Sequence, residues 1–173
     1  MKDSEIRRLL STALSCLAQF EDIVSELYSI LSEFSHEEAA RLALRWISTE
    51  SRQHSKYLGN LAKLLGLGGD VGSCAEFVGI PWVTVESLLN NLRKAGSLSN
   101  ADVLNTLRKL HVIERFTAEE AYSAILIKQI KDVANLARIN FGIIEVVLDE
   151  IVEEEKYHDK IVTALIEMLE SRN

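Results

Sequence analysis

The strongest constraint on the fold lies in the last thirty or so residues. Steps of three and four from Phe141 give Phe141, Ile144, Leu148, Ile151, Glu155, His158, Val162 and Leu165. This is an apolar stripe of helical period, broken only by one carboxylate and one imidazole. Both fall on the line that faces other helices, where a polar group needs a partner. A Glu and a His three residues apart share a helix face, the spacing by which inward faces of a bundle hold a metal. The plainer alternative is a Glu and a His hydrogen-bonded to each other or to a neighbour.

The same writing recurs along the chain. A helix over residues 4–34 carries the stripe Leu10, Leu14, Leu17, Glu21, Val24, Tyr28 and Leu31, again with one carboxylate on an apolar seam. Ser35-His36-Glu37-Glu38 reads as a capping box, so a second helix over 36–65 starts at once. Its seam is Ala40, Leu44, Ile47, Ser51, His54, Leu58, Leu61 and Leu65, with Glu50 one position off it. Gly66-Leu67-Gly68-Gly69 ends that helix. The short connection at Ser35 makes these two helices antiparallel neighbours.

Residues 67–99 hold the single proline, Pro81, and most of the glycines. They read as a long crossover with one short helix from Thr84 to Lys94, too small for a core of its own. Ser99-Asn100-Ala101-Asp102 caps a third long helix over 100–134. Its stripe is Val103, Leu107, Leu110, Ile113, Thr117, Glu120, Ala124 and Ile127. A neighbouring stripe through Val112, Phe116, Glu119, Ser123, Leu126 and Ile130 is nearly as apolar, so Glu119 and Glu120 both stand open as the inward carboxylate. The fourth helix spans 140–170. The expected fold is all-α: one domain over residues 1–173, built as two helical hairpins that look like a diverged internal repeat.

Composition narrows the partners. Nineteen Lys and Arg against 26 Asp and Glu give a net charge of −7, which disfavours nucleic acid and anionic membranes. Cys16 and Cys74 are far apart and form no C-x-x-C, so neither a disulfide framework nor a thiolate metal knuckle is expected, and a reducing cytoplasm is the default. The acidic N-terminus does not read as a signal peptide, and no segment approaches a membrane span.

Equal heights in antiparallel helices place Glu21, His54, Glu120, Glu155 and His158 in one layer. Three carboxylates gathered in low dielectric repel each other unless something positive intervenes, and a divalent ion is the economical answer. Carboxylate oxygen with imidazole nitrogen suits iron, manganese or zinc. The run Asp149, Glu150, Glu153 and Glu154 reads as a solvated face, with an ion entry path as the weaker alternative. Tyr28 and Tyr122 read as core residues whose hydroxyls find a bond. Trp46 and Trp82 cover a dimer surface or pack the crossover. His36 and His111 join no constellation.

On these residues the chain resembles the ferritin-like superfamily and, within it, the rubrerythrin-like di-iron carboxylate proteins. The resemblance implies an antiparallel four-helix bundle with a long crossover between helices two and three. It also implies a Glu on helices one and three and an E-x-x-H on helices two and four. Glu21 matches the first-helix Glu, and Tyr28 a tyrosine common in rubrerythrins. Glu120 is the best match on helix three, with Glu119 and then Glu114 as rivals. Glu155-Lys156-Tyr157-His158 matches the fourth-helix motif outright.

Helix two departs, because Ser51-Arg52-Gln53-His54 has a serine where a bridging Glu is expected. Glu50 lies about 100° around the helix from that position. What the resemblance implies is an iron pair, a single iron, or manganese, with zinc as a further option, in an oxidoreductase that handles oxygen or peroxide. Glu21 and Glu120 would be terminal ligands, Glu155 the bridge, and His54 and His158 the imidazoles. Electrons would come from a separate donor protein, since no cysteine pairs exist for a rubredoxin-type domain, and the chain would be a homodimer. The alternative is a non-enzymatic bundle with a degenerate or single-metal site, serving as a metal-holding or interaction module.

Overall fold

The computed structural model describes residues 3–67, 72–116, 130–132, 134–135 and 140–171. They contain no strand, and their helices include α1 (Asp3–Phe34), α2 (Glu38–Leu64), α3 (Cys74–Val78), α4 (Ile80–Lys94), α5 (Asn100–Phe116) and α6 (Phe141–Glu170). The described residues are therefore all-α, as the periodicity requires.

The seams written in the sequence are the seams that are buried. On α1 these are Leu10, Leu14, Leu17, Glu21, Val24, Tyr28 and Leu31, and on α2 the whole series from Ala40 to Leu65. Contacts between α1 and α2 fall along one helix as they rise along the other. The Arg7 guanidinium donates to the Leu65 and Gly66 carbonyls, both at 3.1 Å. Farther along, the Ser25 and Ser48 hydroxyls each donate to the other's backbone carbonyl, at 2.7 and 2.8 Å. A hydroxyl reaches the facing main chain only where two helices come close, and serine is small enough to allow it.

The α5 and α6 helices pair in the same sense. Arg108 bonds Glu170 at 2.6 Å, His111 lies 2.9 Å from Asp159, and Glu114 faces His158. In addition α2 meets α6, and α4 packs on α1 and α5. Apolar side chains form two clusters. One holds Phe20, Val24, Leu44, Leu107 and Val162; the other holds Leu14, Leu17, Leu58, Leu148 and Ile151. Along α2 and α6 the residues that fall between the two clusters are Ser51, His54, Glu155 and His158. The chain has interrupted its own core with a polar layer.

Several local expectations need correction. The α2 cap is Glu37, without a side-chain cap bond, and the Ser35 hydroxyl instead donates to the Glu37 carbonyl. The α4 helix starts at Ile80, earlier than Thr84, because Pro81 sits in the first turn, where a missing N–H has no helical partner to lose. Ahead of it α3, capped by Ser73, was not legible as a helix, and Gly79 at φ 76° makes the reversal between the two. The Ser99 cap is present: its amide and hydroxyl donate to Asp102, and its Oγ accepts from the Asp102 amide. Whether α5 runs on as one helix to 134 lies outside the described residues, although 130–132 and 134–135 are helical.

The largest correction concerns the cysteines. Cys16 and Cys74 form a disulfide with Cα atoms 5.2 Å apart. Their separation in sequence hid their proximity, because α3 folds back onto α1. Paired cysteines persist in oxidising surroundings, so cysteine usage no longer supports a reducing cytoplasm. No helix among the described residues is long and apolar enough to cross a membrane.

Candidate metal centre

Four helices contribute to the polar layer: α1 gives Glu21, α2 gives Ser51 and His54, α5 gives Glu114, and α6 gives Glu155 and His158. Each is at most 3% exposed. His54 Nδ1 stands 2.9 Å from Glu155 Oε1 and 3.9 Å from Glu21 Oε2. His158 Nδ1 stands 3.6 Å from the same Glu155 oxygen and 3.6 Å from Glu114 Oε2. One carboxylate oxygen thus faces both imidazoles, whose rings stack with centroids 5.9 Å apart. A further carboxylate faces that same nitrogen of each imidazole, Glu21 at His54 and Glu114 at His158.

This arrangement forms two overlapping sets, Glu21–His54–Glu155 and Glu114–Glu155–His158, in each of which the ligand-capable atoms lie within 4.8 Å of one another. Two atoms each about 2.1 Å from one ion stand about 3.0 Å apart at a right angle and about 4.2 Å apart across it. The separations from 2.9 to 3.9 Å are close to that range. His54 Nδ1 and both nitrogens of His158 are buried with no aligned hydrogen bond among the described residues, and so is Ser51 Oγ. Hard oxygen and borderline nitrogen donors without thiolate suit iron, manganese or zinc, and the residues fit such an ion.

The electrostatics have the same origin. Burial alone lowers the pKa of His54, but Glu155, Glu21 and Glu154 outweigh it and raise it to about 9. At His158 burial is again opposed, here by Glu114 and Glu155, and the pKa rises to about 11. Burial pushes Glu155 up, yet the two imidazoles hold it far below the ordinary carboxylate range. Glu114 goes the other way, raised by burial and by the charge of Glu155 against the pull of His158 and Tyr28. Among the described residues, the two imidazoles are the cationic groups beside these carboxylates.

Comparison of the chain with protein-family models, with curated proteins and with solved structures finds no match.

Of the residues singled out from sequence, Glu21, His54, Glu155 and His158 are brought together. Glu120 and Glu119, like Tyr122, lie outside the described residues. The α5 carboxylate that is present is Glu114, the lowest-placed of the three rivals, and the Tyr28 hydroxyl donates to it at 2.5 Å. A signal for it was there. Steps of four, three and four from Val103 reach Leu107, Leu110 and Glu114, all buried, whereas the rival stripe starts at Val112, which is 66% exposed. Glu50 joins a different group, with Glu154 and the outer side of His54. Trp46 sets its ring edge-on to His158 at 5.6 Å, and buried Trp82 packs on Phe20. His111, assigned no role from sequence, bonds Asp159 and Thr163.

Proposed function

We propose that the chain is a ferritin-like, rubrerythrin-like bundle, with α3 and α4 as its crossover, that holds iron or manganese at Glu21, His54, Glu114, Glu155 and His158. The observation that carries this reading is Glu155 Oε1 standing between two imidazoles, each with its own further carboxylate. Such an ion pair would supply one-electron redox chemistry toward oxygen or peroxide, fed by a separate electron-donor protein.

The chain's own part is positioning and exclusion. Glu155 would be shared between the ions, Glu21 and Glu114 would each hold one of them, and His54 and His158 would be the neutral donors on either side. Tyr28 fixes the orientation of Glu114 through its hydroxyl, as partners of ligating carboxylates do. The two apolar clusters keep water from the layer, which strengthens every charge interaction inside it. Ser51 stands where a second bridging carboxylate belongs, and its neutral oxygen cannot offset a cation's charge. The His54 side is therefore the weaker half.

The second reading is a metal-free module whose core is an imidazolium–carboxylate network, favoured by the 2.7 Å pair His54–Glu154 and the 2.9 Å pair His54–Glu155. Metal analysis of the purified chain separates the two. Two ions per chain at saturation support the bridged centre, one supports a metal holder, and none supports the module.

A further inference from the structure

His54 has a second side. While Nδ1 faces Glu155 and Glu21, Nε2 lies 2.7 Å from Glu154 Oε2. Glu154, Glu50 and His54 present ligand-capable atoms within 4.8 Å of one another. Unlike the inner layer, this group opens outward. It lines a pocket of about 230 Å³ with Gln53, Tyr57 and Glu150 also on its wall. Burial, then the nearby charge of Glu154 and a side-chain hydrogen bond with it, pushes the Glu50 carboxyl up, so the two carboxyl groups sit together beside His54. His54, 3% exposed, is the wall between this pocket and the core.

We propose that Glu50, Glu154 and Nε2 of His54 form an outer divalent-cation site that loads the buried centre. This rests on the centre being a metal site. Two carboxylates lining an open pocket beside a low-dielectric core concentrate cations and raise their rate of capture. The imidazole then decides which side holds the ion. His54 gives up one proton to solvent as the ion arrives. The neutral imidazole then carries one N–H and one lone pair, so it serves the outer site through Nε2 or the inner through Nδ1, not both. When the inner side is filled, the Nε2–H donates to Glu154, which fixes the ring in the inward-binding tautomer. The outer site thus takes an ion in and, once the centre is full, becomes the hydrogen-bond support of His54. It adds capture rate without adding to the ions held at saturation.

The test is the rate at which the full chain takes up Co²⁺, followed by Co²⁺ absorption in stopped flow, with Co²⁺ per chain measured at the end. Glu50→Gln/Glu154→Gln is compared with the parent, and Glu50→Gln alone serves as a milder variant that keeps the Glu154–His54 bond. The expected result is a double variant that still fills its centre, at a rate lower by on the order of tenfold or more, with the single variant between. Unchanged rates in both variants would overturn the loading site and leave the metal centre standing. Loss of the inner Co²⁺ in Glu50→Gln would overturn it too, by making Glu50 a ligand of the centre. A parent chain that takes up no Co²⁺ would overturn the metal centre itself and the loading site with it.

Discussion

The Tyr28 hydroxyl donates a 2.5 Å hydrogen bond to Glu114 Oε1, and both residues are out of contact with water. It joins α1 to α5 across the core. Tyr28→Phe leaves a buried carboxylate oxygen without that donor, a loss of about 1–3 kcal/mol. Chemical denaturation of the metal-free variant should show it, and metal affinity on the His158 side should drop by about 10- to 100-fold. An unchanged midpoint and unchanged affinity would mean that the bond has no structural consequence.

That pair also shows what was legible. Tyr28 was readable as a core tyrosine because it falls on the α1 seam, and the seams of α1, α2 and α6 gave Glu21, His54, Glu155 and His158 without ambiguity. A carboxylate or imidazole inside an unbroken 3-4 stripe has nowhere else to go. On α5 two stripes were nearly equal in apolar content, and the choice between them needed facing helices that one strand of text does not supply. The disulfide was hidden for a similar reason: α3 is a five-residue helix, too short to show periodicity, so nothing in the letters placed Cys74 against Cys16. Pro81 misled because proline excludes helix interiors but not first turns.

The disulfide closes a loop across a sequence separation of 58. On the chain-entropy estimate its loss costs about 4 kcal/mol. Cys16→Ser, or the parent in excess reductant, should therefore unfold at markedly lower denaturant than the oxidised chain. Coincident curves with and without reductant would show the crosslink to be without effect on stability.

Ser51→Glu is expected to act in opposite directions with and without metal. In the metal-free chain it adds a buried charge to a layer already rich in carboxylates, a cost of several kcal/mol. With Mn²⁺ present it supplies the missing bridge, raises occupancy beside His54 at limiting metal, and recovers stability by mass action. Melting curves with and without Mn²⁺ check both signs. Destabilisation that Mn²⁺ leaves untouched would contradict the placement of Ser51 at the centre.

Metal uptake should release protons. In the metal-free chain the imidazoles of His54 and His158, raised to about 9 and about 11, are protonated at neutral pH, and each must lose a proton to become a ligand. Calorimetric titration in buffers of different ionisation heat should give about two protons per chain at pH 7. The same shifts fix the sign for stability without metal. Both folded-state values lie above the unfolded value of about 6.5, so the stabilisation is complete below that pH. It is lost as pH rises through about 9 and then about 11. A metal-free chain that gains stability from pH 7 to 10 would contradict these pairings.

The central claim is that Glu155 is shared by two ions, and Mn²⁺ per chain after equilibrium dialysis at saturating metal tests it most directly. The parent should hold two ions. Glu21→Ala and Glu114→Ala should each lose the ion on their own side, and Glu155→Ala should lose both. A parent without metal, or a Glu155→Ala chain that still holds as much as the parent, would contradict the bridged centre.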